Sequence, residues 1–164
     1  MAVQWTLENA GRLGGDPRRI FLMGHSAGAV HAATYIARPD LQKVKGGGLA
    51  GAILVSGLYL LTPDTDGPPQ RAYFGPDLSK WGDRSSLKGL VATKLPMLVA
   101  RAQLDPPVFA IQGEVLNRAM CASPRDCPTY LVLQDQSHMS EVYSINTDET
   151  RLSSAIAAFV KKPR

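Results

Sequence analysis

Four short apolar runs punctuate the chain: Ile20-Phe21-Leu22-Met23, Gly51-Ala52-Ile53-Leu54-Val55-Ser56, Leu95-Pro96-Met97-Leu98-Val99-Ala100 and Thr129-Tyr130-Leu131-Val132-Leu133. Each is too short for a stable helix and nearly continuous in its apolar character. That is how a strand buried on both faces reads. The stretches between them carry helical spacing instead. Residues 1–10 read as a leading helix, and Ala29 to Arg38 as a second one stopped by Pro39. A further helix falls between the third and fourth runs. Asp148 to Lys162 closes the chain, with Leu152, Ile156, Phe159 and Val160 on one face and Asp148 placed to cap it.

Strands alternating with helices predict an α/β fold of about four parallel strands with flanking helices, joined by right-handed crossovers. No repeat, low-complexity tract or linker interrupts residues 1–164, so they read as one domain. The exception to the alternation is the stretch from Leu58 to Lys94, rich in Pro, Gly and Asp and carrying Tyr59, Tyr73, Phe74 and Trp81. It is long for a plain connection and reads as irregular. Two roles suit it equally: lining a pocket, or packing on the surface as an Ω-like loop.

The most informative residues lie at the break after the first run. Gly24-His25-Ser26-Ala27-Gly28 sits between an apolar strand and a helix. A G-x-S-x-G in that setting is the pattern of a sharp strand-to-helix turn that projects a serine hydroxyl above a sheet. Glycine at 24 and at 28 suits the closeness of such a turn. Partners for the serine follow in chain order. Asp105, in Asp105-Pro106-Pro107, comes just after the third strand, and His138, in Gln136-Ser137-His138-Met139-Ser140, comes in a loop after the fourth. Side chains past the C-terminal ends of parallel strands face one crevice. Asp135, three residues before His138, is the competing acid, but its loop gives it little length to reach behind the ring. His25 is expected to pack beside the turn, and His31, five residues past Ser26, to point away from the hydroxyl in a structural role.

On these residues the chain resembles α/β-hydrolases of the esterase and lipase type, in the style of small carboxylesterases and kynurenine-formamidase-like hydrolases. The matching parts are Gly14-Gly15-Asp16-Pro17-Arg18-Arg19-Ile20 leading into the first strand, Gly24 to Gly28, the Asp105-Pro106-Pro107 turn and Ser137-His138-Met139. The resemblance implies a serine hydrolase that cleaves carboxylic esters through an acyl-enzyme on Ser26. His138 would be general base and Asp105 its orienting acid. The backbone N–H of Ala27 would be one oxyanion donor. An amide or formamide hydrolase is the neighbouring reading. A catalytically silent half-domain that serves as an interaction module is the alternative outside enzymes. In such relatives the serine turn comes far into the chain, after strands whose loops supply a second oxyanion donor. Here it begins at Gly24, and nothing of the His-Gly-Gly kind precedes it. The resemblance therefore implies the C-terminal part of the fold: a fragment, a chain whose start was misassigned, or one whose missing strands are supplied by something else, with a homo-oligomer as a further option.

Composition adds limits. With 45% hydrophobic and 20% charged residues the chain is of ordinary globular make-up, and no stretch approaches the roughly 18 apolar residues of a membrane span. The net charge of +4 is spread over short pairs such as Arg18-Arg19 and Lys161-Lys162, without interleaved aromatics. A solvated surface is expected rather than a nucleic-acid platform. No His or Cys pair has zinc spacing, so neither metal nor cofactor is expected, and the partner implied is a small-molecule ester. Cys121 and Cys127 are read as reduced thiols, with a disulfide as the other option. A cytoplasmic location is favoured.

The exposed edge of the first strand gives the first testable expectation. The resemblance implies strands on the far side of the first one, and without them its edge beside Ile20, Phe21 and Leu22 would be an aggregation-prone template. The isolated 164-residue chain is expected to be poorly soluble, to self-associate through that edge, or to be a piece of a longer polypeptide, with little esterase activity. Sedimentation together with an ester-hydrolysis assay checks this, and a fully active monomer would count against it.

Overall fold

The computed structural model describes residues 2–123 and 127–162. Its centre is one four-stranded parallel sheet in the order β1 (Phe21–His25), β2 (Gly51–Val55), β3 (Met97–Leu104) and β4 (Thr129–Ser137). Around it lie α1 (Ala2–Asn9), α2 (Ala27–Ala37), α3 (Pro68–Phe74), α4 (Trp81–Arg84), α5 (Leu87–Ala92), α6 (Pro107–Met120), α7 (Ser140–Tyr143) and α8 (Arg151–Lys161). Among the described residues β1 pairs only with β2, at one edge of the sheet. The fold class is as the hydrophobic pattern predicted.

The two-residue period of the strands sorts the core into two layers. Ala52 and Leu54 of β2 and Met97 and Val99 of β3 face a cluster with Ala32, Ala33 and Ile36 of α2, Leu90 of α5 and Leu116 and Met120 of α6. Ile53, Val55, Leu98 and Ala100 face the opposite way, onto Leu133 of β4 and Leu152 and Phe159 of α8. Every residue of β2 is buried, which explains its unbroken apolar reading.

Three local expectations are corrected. The stretch from Leu58 to Lys94 is not irregular: it holds α3, α4 and α5, and builds a third cluster in which Leu58, Leu61, Phe74 and Trp81 pack on Val30 of α2. Its start is pinned by buried Gln112 of α6. That side-chain oxygen accepts from the N–H groups of Tyr59 (2.9 Å) and Leu60 (2.8 Å), while its amide donates to the Leu60 carbonyl. Such tertiary anchoring is invisible to local periodicity. Asp148 does not cap α8, which starts at Arg151 after Thr150. The Glu149 carboxylate accepts from the Arg151 N–H at 2.9 Å and takes the role instead. Cys121 and Cys127 are joined as a disulfide rather than left as thiols. The chain turns back after α6 and brings their Cα atoms to 4.4 Å, within ordinary bridging distance.

Because Leu54 is completely buried in the central strand, Leu54→Ala should lower unfolding free energy by about 2–5 kcal/mol. Chemical denaturation, with the slope against denaturant unchanged, measures it.

Candidate active site

All four strands run the same way, so their C-terminal ends open on one rim, and each contributes a polar side chain there. Ser26 follows β1, Ser56 follows β2, Asp105 follows β3 and His138 follows β4. Ser26 stands at the turn between β1 and α2 with φ 54° and ψ −121°, a left-handed conformation that a non-glycine residue adopts only under constraint. Its N–H donates to the Val55 carbonyl at 2.9 Å, which ties the turn to the end of β2.

The two glycines of the turn are not equivalent. A Cβ on Gly24 would lie 2.2 Å from the carbonyl oxygen of Gly28, whereas a Cβ on Gly28 would meet nothing within 4 Å. The close approach therefore demands glycine only at 24, a correction to the symmetrical requirement expected from the sequence.

The structure brings Ser26, His138 and Asp105 together. Ser26 Oγ is 2.8 Å from His138 Nε2, and His138 Nδ1 is 2.7 Å from Asp105 Oδ1. With the proton on Nδ1, the ring donates to the carboxylate and leaves Nε2 free to accept from the serine hydroxyl. The Asp105 side chain is fully buried, and its second oxygen is also satisfied: Oδ2 accepts from Ser56 Oγ (2.6 Å) and from the Ala102 N–H (3.0 Å). Phe109 of α6 stacks on the His138 ring with centroids 4.3 Å apart. Ala27, first residue of α2, presents its N–H at a helix start, where no intrahelical acceptor exists. A cleft of about 190 Å³ opens beside Ser26, lined by Val30, Leu58, Phe74 and Phe109 with Gln70 and Tyr73. Its wall is mostly the segment from Leu58 to Phe74, so of the two roles weighed for that stretch this is the one the structure realises.

Asp135 is exposed on β4, where the pairing with β3 is irregular, and its backbone N–H donates to the Gln103 side chain. It has no part in the cluster. His31 pairs its Nδ1 with the Tyr73 hydroxyl at 2.8 Å and makes no hydrogen bond to Ser26 among the described residues. His25 lies beside the turn as expected, but engaged: its Nε2 is 2.7 Å from the backbone oxygen of His138 and 3.2 Å from Oε1 of buried Glu141. The neighbouring Glu141 carboxylate raises the His25 pKa above the ordinary 6.5, against the opposing effect of burial. His25, His138 and Glu141 hold ligand-type atoms within 4.8 Å of one another. Both ring nitrogens of His138 are already engaged, so the group offers a metal ion little. Sequence reasoning missed Ser56, Phe109 and Glu141. The position of Ser56 at a strand end was a readable signal; the other two are placed only by packing.

Residues 1–74 match the model of the carboxylesterase family. Esterase B1 of Culex pipiens is 59% identical over 29 residues, which is 18% of this chain and 5% of that protein. The structure of a thermophilic esterase from Thermogutta terrifontis superimposes with a TM-score of 0.69 at 20% identity, over 98% of this chain and 61% of that one. The acylaminoacyl peptidase of Pyrococcus horikoshii also gives 0.69, at 16% identity, over 96% of this chain and 27% of that one. The Thermogutta enzyme has additionally been solved phosphonylated by sarin, and that form gives 0.65 at 20% identity over 94% and 59% of the two chains. This chain thus carries the four parallel strands and flanking helices of the α/β-hydrolase fold, and spans under two thirds of the length of these relatives.

The glycine asymmetry is directly testable. Gly24→Ala should cost about 1–3 kcal/mol or more through overpacking, while Gly28→Ala should leave stability nearly unchanged. Paired thermal melts check it, and equal losses at the two positions would contradict the geometry.

Proposed function

We propose that this chain carries the reactive centre of a serine hydrolase acting on carboxylic esters, with Ser26 as nucleophile, His138 as general base and Asp105 as the acid that orients it. The observation that carries the reading is the unbroken hydrogen-bond line from Ser26 Oγ through both His138 nitrogens to a buried carboxylate. A serine hydroxyl is a weak nucleophile until a base accepts its proton as it attacks. In the reaction proposed, Oγ bonds to the acyl carbon as its proton passes to His138 Nε2. Asp105 stabilises the imidazolium, and the Ala27 N–H donates to the oxyanion. Collapse breaks the bond to the leaving alcohol, which takes the proton from His138. Water then repeats the sequence on the acyl-enzyme. The carboxylesterase match over residues 1–74 and the esterase fold relatives support the reaction class. The mostly apolar cleft beside Ser26, smaller than a drug-sized pocket, favours a short acyl chain. The reading places the whole of residues 1–164 in one hydrolase domain.

The Thermogutta esterase accepts a phosphonyl group from sarin, so a fluorophosphonate is an apt probe. It should add to the Ser26 peptide, read by mass, and Ser26→Ala should abolish both labelling and hydrolysis of a short-chain aryl ester. Asp105→Asn should slow turnover by a factor on the order of 10⁴. Undiminished hydrolysis by Ser26→Ala would sink the proposal.

A further inference from the structure

Two ionisable residues next to this centre have no task in the reaction above. His25 immediately precedes the nucleophile, and Glu141 lies in the first turn of α7, three residues after His138, with its side chain 0% exposed. A carboxylate removed from water is strongly unfavourable unless an opposite charge compensates it. His25 is the cation within reach, 3.2 Å from Glu141 Oε1. Yet its Nε2–H is aimed at the main-chain oxygen of His138, at 2.7 Å, and neither Glu141 oxygen receives a well-directed hydrogen bond among the described residues. The carboxylate therefore acts on His25 as a charge, while the hydrogen bond of His25 goes to the backbone of the base.

That arrangement complements the contacts on the other side of His138. Asp105 and Phe109 fix its ring, but the ring swings with the main chain that carries it. His25 grips that main chain, and one peptide bond further along stands Ser26. The separation of Oγ and Nε2 is thus set by one covalent step and one hydrogen bond. We propose that His25 and Glu141 form a charged clamp that positions His138 through its backbone carbonyl, making residue 25 a positioning residue for the chemistry at Ser26. For its rate measurements the inference rests on the hydrolase reading.

The charged groups facing His25 are Glu141 on α7 and Asp105 at the end of β3, and the titratable His138 ring lies 4.7 Å away, tilted by 43°. Buried Tyr59 faces Glu141, and burial raises its pKa, so it stays neutral. The folded-state pKa of His25 is raised, so the clamp is charged below it and loses its cation as pH rises through it. Glu141 is then left uncompensated.

The test measures the second-order rate at which a fluorophosphonate labels Ser26. His25→Phe alone would strand the Glu141 charge, so the working variant is His25→Phe with Glu141→Leu, which removes both charges together. Its labelling should fall on the order of 10- to 100-fold at unchanged melting temperature, the scale of a small misplacement of a reacting group. His25→Gln, whose amide N–H can meet the same carbonyl, should restore most of the rate. Wild type should lose rate on the alkaline side as His25 titrates, and His25→Gln with Glu141→Gln should lack that limb. Wild-type rates and pH profiles throughout would overturn the clamp. If even the wild type fails to label, the hydrolase reading falls instead, and the clamp is decided by amide hydrogen exchange over residues 137–141. Faster exchange in the double variant supports it, and unchanged exchange overturns it.

Discussion

A carboxylate taken out of water is costly unless it is hydrogen-bonded or paired with an opposite charge, and the crevice of this protein is organised around that demand at Asp105. Its oxygens receive a hydroxyl from the end of β2, a backbone N–H from β3 and the imidazole N–H that follows β4. One side chain thereby binds three strand ends into a fixed rim. The fourth end joins through the Ser26 N–H, held by the last carbonyl of β2. The geometry on which the proposed chemistry depends is set before any substrate arrives, which is what preorganised catalysis requires.

That rim can be rigid because the sheet beneath it is packed on both faces. β2 and β3 alternate their side chains between α2, α5 and α6 on one side and α8 on the other. Strain at the rim, in Ser26 and in Ser56 with φ 47°, is tolerated because backbone pairing holds both residues from below. The wall of the cleft is a separate structure. The segment that leads into α3 and α4 is anchored by Gln112 at Tyr59 and Leu60 and built around Phe74 and Trp81, and it shapes the space beside Ser26.

The likeness to esterases and to a peptidase fits this division. The fold is what this chain shares with them at identities of 16–20%, and a shared fold does not by itself fix a substrate.

The strands, the alternation with helices and the three residues of the hydrogen-bond line were legible in the sequence. Each depends on local pattern: continuous apolar runs, a glycine-flanked serine, and polar residues just past strand ends. The preference for Asp105 over Asp135 was legible too, because only the former follows a strand directly. What the tertiary structure alone decided rests on contacts between distant segments. Local periodicity could not foresee that residues 58–94 would hold three helices behind a start pinned by Gln112, that Glu149 rather than Asp148 would accept from the first N–H of α8, or that Cys121 and Cys127 would meet. Nor could it reveal that Gly24 lacks room for a Cβ while Gly28 does not. Glu141 is the sharpest instance. In sequence it is an ordinary acidic residue of a polar loop, and only packing buries it against His25, where its charge acquires a consequence.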